Sequence, residues 1–233
     1  MPQPPLSLAG LEGLCGTLAE PGLDLEADAI ALRQVIAQST LPAPLVRLLW
    51  RALAGERRRL RGLPPIGLYS DPARAAHNDF MALASAYCGP TAPVASLASV
   101  EAALLHAAQP EGLVIIGLQA ETPWWLRLLA EPRVRVVGAL PEALEQGPPH
   151  ALILAAKRLG PTGSDETFYA TDHKGPLSQT VADLARIGFA AEGLRAIGDL
   201  KLVSLAGYVQ EGDPRLAGAA GRLKGVIGAR PFS

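Results

Sequence analysis

The chain has 233 residues, of which 49% are hydrophobic and 18% are charged, and its formal net charge is −1. This composition supports packed cores and excludes a disordered chain. A net charge close to zero gives no general attraction to nucleic acid or to an anionic membrane surface.

Residues 1–62 are predicted to be helical. A weak helical pattern covers Leu6 to Glu20, and a clearer one covers Leu25 to Gln38. A long helix follows, with Pro42 before its first turn and Gly62 after its last, which is the asymmetry typical of helix ends.

Residues 65–157 alternate between strand and helix patterns. The strand segments are "PIGLY", "GLVIIGL", "RVRVVGAL" and "HALILAA". The helical segments between them have Asp71, Ser99 and Thr122 as predicted N-caps. This alternation predicts an α/β layer with a mainly parallel sheet.

In residues 166–230, the spacing of apolar residues changes from two, typical of a strand, to about 3.6, typical of a helix, and back to two. The strand "TFYAT" precedes a helix whose apolar stripe includes Leu177 and Leu184. Two strands joined at Gly198-Asp199 follow, then a second helix from Asp213-Pro214 and a last strand, "LKGVIGA". The order βαββαβ predicts a ferredoxin-like unit, so the whole chain is expected to be an α+β multi-domain protein.

This order of segments resembles the bifunctional chorismate mutase–prephenate dehydratase family. The stretch "HALILAAKRLGPTGSDETFYATDHKGPLSQTVADLARIGFAAEGLRAI" is similar to that family's junction between the dehydratase and its C-terminal ACT domain. The stretch "APLVRLLWRALAGERRRLRG" is similar to its last mutase helix, and "ETPWWLRLLAEPRVRVVGALP" resembles a shortened alphaproteobacterial chorismate mutase-like group. The resemblance implies a helical mutase-like segment at 1–62, a truncated α/β dehydratase-like lobe at 65–157, and an ACT-like domain at 166–230.

The chain departs from the family pattern at several functional positions. No Lys or Arg occurs from Met1 to Asp24, and Arg61 stands where the family has a glutamine. The dehydratase elements are replaced by Pro149-His150-Ala151 and by "QAET" at 119–122, and the ACT effector motif is replaced by "LRAI". We therefore expect the dehydratase activity to be lost and the mutase activity to be weak or absent.

Four arginines form one stripe of the long helix: Arg47, Arg51, Arg58 and Arg61. Guanidinium groups bind carboxylates in a forked geometry, so this stripe suits a dicarboxylate such as chorismate. The resemblance implies that Asp28 accepts a hydrogen bond from the substrate hydroxyl. The rearrangement is pericyclic, so it needs shape and electrostatic stabilisation and no nucleophile, metal or other cofactor. Alternatively, the stripe is a solvated helix face and Asp28 favours a helix dipole.

The turn before the ACT-like helix is a candidate effector site, with Asp172, His173, Gly175 and Leu177. Backbone N–H groups at a helix start can hold the carboxylate of an amino acid. Alternatively, Gly175 serves a tight turn and Pro176 the first helical position.

Other candidates carry weaker indications. One of Trp124 and Trp125 is expected in a core and the other at an interface. Asp71, Arg74 and His77 share a helix start, but no serine or cysteine elbow motif stands nearby, so a hydrolase is not predicted. Cys15 and Cys88 form no metal or disulfide pattern, and Cys88 is expected to be a small buried apolar residue.

The sequence thus predicts a chorismate mutase-related protein of phenylalanine and tyrosine biosynthesis. The alternative is a non-catalytic protein of that pathway that senses an aromatic amino acid through its ACT-like domain. We expect a cytoplasmic homodimer with its long helices across a two-fold axis, binding a small molecule but no nucleic acid, and without a secretory signal or a membrane span.

Overall fold

The computed structural model describes residues 25–71, 77–143 and 146–232, so the predicted helix at Leu6–Glu20 lies outside the described residues. The described helices are α1 (Leu25–Gln38), α2 (Ala43–Leu60), α3 (His77–Cys88), α4 (Val100–Ala107), α5 (Arg127–Ala130) and α6 (Leu177–Arg186). The strands are β1 (Ile66–Tyr69), β2 (Val94–Ser96), β3 (Leu113–Gly117), β4 (Arg135–Leu140), β5 (Ala151–Ala155), β6 (Asp165–Thr171), β7 (Ala191–Ile197), β8 (Leu200–Ala206) and β9 (Lys224–Pro231).

The fold is mixed α/β, with one nine-stranded mixed sheet in the order β2-β1-β3-β5-β4-β9-β6-β8-β7. The predicted parallel arrangement is found for β1, β2 and β3. It is wrong for β5, which is antiparallel to both β3 and β4. The connection from β4 to β5 covers only residues 141–150, too few for the crossover that parallel neighbours need.

The C-terminal part of the sheet is antiparallel. β8 lies between β6 and β7, and β6 also pairs with β9. The strands β6 and β7, which α6 connects, are therefore not neighbours in the sheet. The predicted second helix is a short 3₁₀ segment, Pro214–Gly218, whose start is capped by Asp213 through a hydrogen bond from the backbone N–H of Arg215 (3.0 Å). Gly218 and Gly221 disfavour a longer helix here.

The two halves of the sheet meet at β4 and β9, which pair in parallel at Val136 and Gly228. Gly228 has φ +140°, and a Cβ on it would lie 2.1 Å from the carbonyl oxygen of Val136. Only glycine permits this approach. The sheet is therefore continuous across the predicted boundary between segments 65–157 and 166–230.

Both tryptophans of the "WWL" segment are buried, so the expectation that one lies at an interface is wrong. Their rings pack edge to face with centroids 6.1 Å apart. The cluster around them includes Ala103 of α4, Phe168 of β6 and Ile227 of β9. The segment is a 3₁₀ turn without a side-chain cap, so the cap predicted at Thr122 is also wrong, whereas Ser99 caps α4 as predicted.

The long helix α2 begins and ends as predicted. Leu48 and Leu60 on this helix are 56% and 68% exposed. The buried residues include Arg51, Gly55 and Arg58.

Two glycines explain which face of α2 is buried. A Cβ on Gly55 would lie 2.4 Å from the carbonyl oxygen of Cys88, and a Cβ on Gly89 would lie 2.4 Å from that of Arg51. The backbone of α2 therefore approaches the end of α3 closely, and this contact buries the two arginines one turn to either side of Gly55.

Candidate functional site

A cavity of about 80 Å³ lies between α1, α2 and α3 and is named here the α2 cavity. Of the residues predicted to bind substrate, Asp28, Arg51 and Arg58 line it. Arg47 and Arg61 are not part of its lining. Its walls are formed by Leu25, Asp28, Arg51, Ala54, Gly55, Arg57, Arg58, Leu63, Ile66, Tyr87, Cys88 and Leu113.

Arg51 is held by carboxylates on two sides of its guanidinium. Nη1 donates to Oδ2 of Asp28 at 3.0 Å, and Nε and Nη2 donate to the two carboxylate oxygens of Glu142. The second oxygen of Asp28 accepts from Nε1 of Trp50 at 2.8 Å. Asp28 therefore positions Arg51 and Trp50, and the charge of Arg51 is compensated within the chain.

Burial and charge act against each other at Arg51. Burial alone lowers the pKa of Arg51, but Glu142 and Asp28 outweigh it, so the pKa lies well above its ordinary value. Its guanidinium also lies 4.5 Å from the ring centroid of Tyr87. Burial raises the pKa of Tyr87, and raises the pKa of the Cys88 thiol to about 11. Both side chains thus stay protonated at neutral pH.

Arg57 and Arg58 supply positive charge, and neither donates a hydrogen bond to a carboxylate of the described residues. Arg58 donates to the carbonyl oxygens of Pro64 (2.6 and 3.0 Å) and Glu111 (3.1 Å), and burial lowers its pKa. Nη1 of Arg57 is buried and has no hydrogen-bond partner among the described residues. With Arg51 balanced by two carboxylates, the α2 cavity favours an anion.

Two residues at this site, Glu142 and Arg57, were not predicted from the sequence. Glu142 lies far from α2 in the sequence, and Arg57 lies off the predicted stripe. The spacing Arg51-Gly55-Arg58 was a usable signal, because a glycine between two arginines on one helix face indicates close packing there.

The predicted effector turn is occupied by internal contacts. Oδ1 of Asp172 accepts from the backbone N–H groups of Arg222 (2.6 Å) and Leu223 (3.0 Å). Nδ1 of His173 lies 2.9 Å from Oγ1 of Thr180, and its Nε2 lies 3.3 Å from the Asp183 carboxylate.

The other two residues of that turn differ in role. Gly175 has φ +109°, which requires glycine, and lies exposed before α6. Leu177 packs against Gly193 and the core under α6. Asp172, His173 and Leu177 therefore stabilise the C-terminal unit, and Gly175 sets the turn.

In the ranges 25–71, 77–143 and 146–232, no group of His, Cys, Asp and Glu side chains is placed to hold a metal ion. Over the same ranges, no helix has both the length and the apolar character that crossing a bilayer requires.

No protein-family model matches the chain, and no curated protein matches it. Among solved structures, the chain resembles one described as "GqqA- a novel type of quorum quenching acylases". The two chains are 15% identical, with a TM-score of 0.46, and the match covers 72% of this chain and 95% of the other. A likeness this low carries no argument about function.

Proposed function

We propose that the chain is a chorismate mutase-related protein of aromatic amino acid biosynthesis that binds a small carboxylate-bearing anion in the α2 cavity. It converts chorismate to prephenate weakly or not at all. The observation that carries the proposal is the cationic lining of the cavity. Among the described residues, Nη1 of Arg57 is buried without a partner and Arg58 donates only to carbonyl oxygens.

The contacts of Arg51 support the low turnover. A dicarboxylate needs two guanidinium forks, but Arg51 is already bound by Asp28 and Glu142. The cavity volume of about 80 Å³ is also below the roughly 300 Å³ at which ligand pockets begin. One carboxylate bound by Arg57 and Arg58 fits this geometry better than an enclosed chorismate.

The test measures the loss of chorismate at its ultraviolet band, together with the thermal stabilisation of the chain by chorismate and prephenate. We expect stabilisation that Arg57→Gln abolishes. The matched control is Arg59→Gln, because Arg59 is exposed and paired with Glu56 on the same helix. Equal stabilisation of both variants contradicts the site, and fast turnover of chorismate by the native chain contradicts the low turnover proposed here.

A second candidate function is the sensing of an aromatic amino acid by the C-terminal unit, proposed as ACT-like. The antiparallel arrangement, with β8 between β6 and β7 and with α6 beginning after a glycine turn, favours it. We expect L-phenylalanine or L-tyrosine to raise the melting temperature, with D-phenylalanine as the ligand control. A shift of the same size with both enantiomers contradicts specific sensing.

We also propose the layout of three domains and a cytoplasmic homodimer in which α2 packs across a two-fold axis. The exposed Leu48 and Leu60 on α2 support this arrangement. Sedimentation is expected to show a dimer that Leu48→Glu converts to a monomer. A native chain that sediments as a monomer contradicts the arrangement.

A further inference from the structure

We propose that Ser70 and His77 form a nucleophile–base pair for acyl transfer, at a site separate from the α2 cavity. Oγ of Ser70 lies 2.5 Å from Nδ1 of His77. Ser70 follows directly after β1, and His77 lies in α3. The strand β1 thus presents the hydroxyl, and the helix that follows it supplies the imidazole.

The position of this pair in the sheet is the second observation. From β1 the chain goes to β2 on one side and later to β3 on the other, and all three strands are parallel. The crevice beyond the carboxyl ends of β1 and β3 is the place where open α/β sheets bind their ligands. Ser70 lies there beside Gly117, the last residue of β3, whose missing side chain leaves room next to the hydroxyl.

The cleft around the pair has polar groups suited to an acyl substrate. Its lining includes Gln119 and His150, both exposed, while Phe80 forms the apolar base. The side-chain oxygen of Gln119 accepts from Nη1 of Arg195 at 3.4 Å, which leaves its amide N–H groups for a developing oxyanion. The room left is about 10 Å³, no more than one water molecule needs, so a short acyl group binds at the exposed rim of the cleft and not inside it.

The reaction is the hydrolysis of an ester, with water as the co-substrate. Oγ of Ser70 forms a bond to the carbonyl carbon of an ester while its proton passes to Nδ1 of His77. The bond to the leaving alcohol breaks, and the alcohol takes that proton. Water then attacks the acyl-serine and gives a proton to His77, which returns it to Ser70 as the acid leaves.

The experiment uses the full chain with p-nitrophenyl acetate and a fluorophosphonate probe. We expect a burst of nitrophenolate and one covalent adduct per chain, mapped to Ser70 by peptide mass spectrometry. Ser70→Ala abolishes both, and Ser96→Ala, at an exposed serine of β2, changes neither. His77→Gln slows acylation by roughly 100-fold, the lower limit for a general base, and added imidazole restores part of the rate.

An adduct at any other residue, or no adduct at all, overturns the proposal. So does Ser70→Ala turnover equal to that of the native chain, or a His77→Gln variant as fast as the native chain. Because the adduct is mapped on the native protein, the result holds even where a variant folds poorly. Chorismate and its products take no part in this assay, so its outcome is independent of the function proposed for the α2 cavity.

Discussion

Arg51 of α2 forms a two-point ion pair with Glu142, which lies 91 residues further along the chain. The pair fastens the helical segment to the loop after β4, and Asp28 joins it from α1. Both side chains are largely buried, so the pair is part of the core between these segments and differs from an exposed surface contact.

Replacement of Arg51 by Met is expected to lower the free energy of unfolding by roughly 3–5 kcal/mol, because two buried carboxylates lose their counter-charge. Urea denaturation measures the change. The variant Glu142→Gln should lower the free energy of unfolding by less, since Arg51 keeps its ion pair with Asp28. The double variant should lower it by less than the sum of the two single variants. Arg59→Met, which removes an exposed pair with Glu56, should cost less than about 1 kcal/mol. Equal losses for Arg51→Met and Arg59→Met contradict this account.

The buried thiol of Cys88 is expected to make stability fall at high pH. Its pKa rises from an ordinary 9.0 to about 11 on burial. Between these values the unfolded thiol ionises and the folded one does not, so the unfolded chain binds fewer protons and the free energy of unfolding falls as pH increases. The loss, on the order of 3 kcal/mol, is complete once pH passes about 11.

The measurement compares native chain and Cys88→Ala by urea denaturation from pH 8 upward. The variant should lack this part of the pH dependence while it keeps the contributions of the buried tyrosines. Parallel curves for the two proteins contradict the assignment.

The glycine at the meeting point of β4 and β9 is expected to be indispensable for the continuous sheet. Gly228→Ala places a Cβ 2.1 Å from the carbonyl oxygen of Val136, so the strands must separate. We expect the free energy of unfolding to fall by more than about 3 kcal/mol, because core overpacking and a strained backbone act together.

Gly207→Ala is the matched control for Gly228→Ala, because Gly207 has φ +82° and no atom within 4 Å of the added Cβ. The variant Gly207→Ala has the conformational cost of a positive φ but no steric clash, so we expect it to lower the free energy of unfolding by about 1 kcal/mol. Thermal unfolding of both variants tests the difference. If Gly207→Ala is destabilised as much as Gly228→Ala, backbone strain at a positive φ explains the effect, and the close approach of Gly228 to Val136 does not.

Lys201 is expected to hold the β7–β8 turn against the loop after β6. It is fully buried, and its Nζ donates to the carbonyl oxygens of His173 (2.6 Å) and Asp199 (3.0 Å). Lys201→Met leaves these carbonyl oxygens without a hydrogen-bond donor, and we expect the free energy of unfolding to fall by about 1–3 kcal/mol.

Lys224→Met provides the comparison for Lys201, since Lys224 also donates to two carbonyl oxygens but is partly exposed. Water replaces its hydrogen bonds, so the loss should stay below about 1 kcal/mol. Hydrogen exchange of the amides around Asp199 measures the local effect. Unchanged exchange in Lys201→Met contradicts the proposed role.

Local patterns in the sequence predicted most helices and strands, because apolar periodicity, N-caps, prolines and glycines act within a few residues. The bounds of α2 followed from Pro42 and Gly62, and the cap of α4 followed from Ser99. The short strand β2 was missed, since three residues are too few to show a period. The second helix of the C-terminal unit was overestimated, because Asp213-Pro214 marks a start and does not set a length.

The site was predicted only in part. Arg51 and Arg58 were found because they lie on one face of a helical pattern, and Asp28 was found through the family resemblance. The pattern left open whether the arginine stripe is a solvated face, and the structure buries Arg51 and Arg58, because Gly55 and Gly89 let two backbones approach. Ser70 and His77 were not combined at all, since a serine and a histidine seven residues apart form no recognised motif.

The sequence by itself determined where most helices and strands lie, and which residues have the chemistry to bind an anion, since both depend on near neighbours in the chain. Only the tertiary structure decided that Arg51 meets Glu142, that one sheet passes through Val136 and Gly228, and that Ser70 faces His77. These contacts join residues on different elements, and their energies depend on burial and distance, which no local pattern contains.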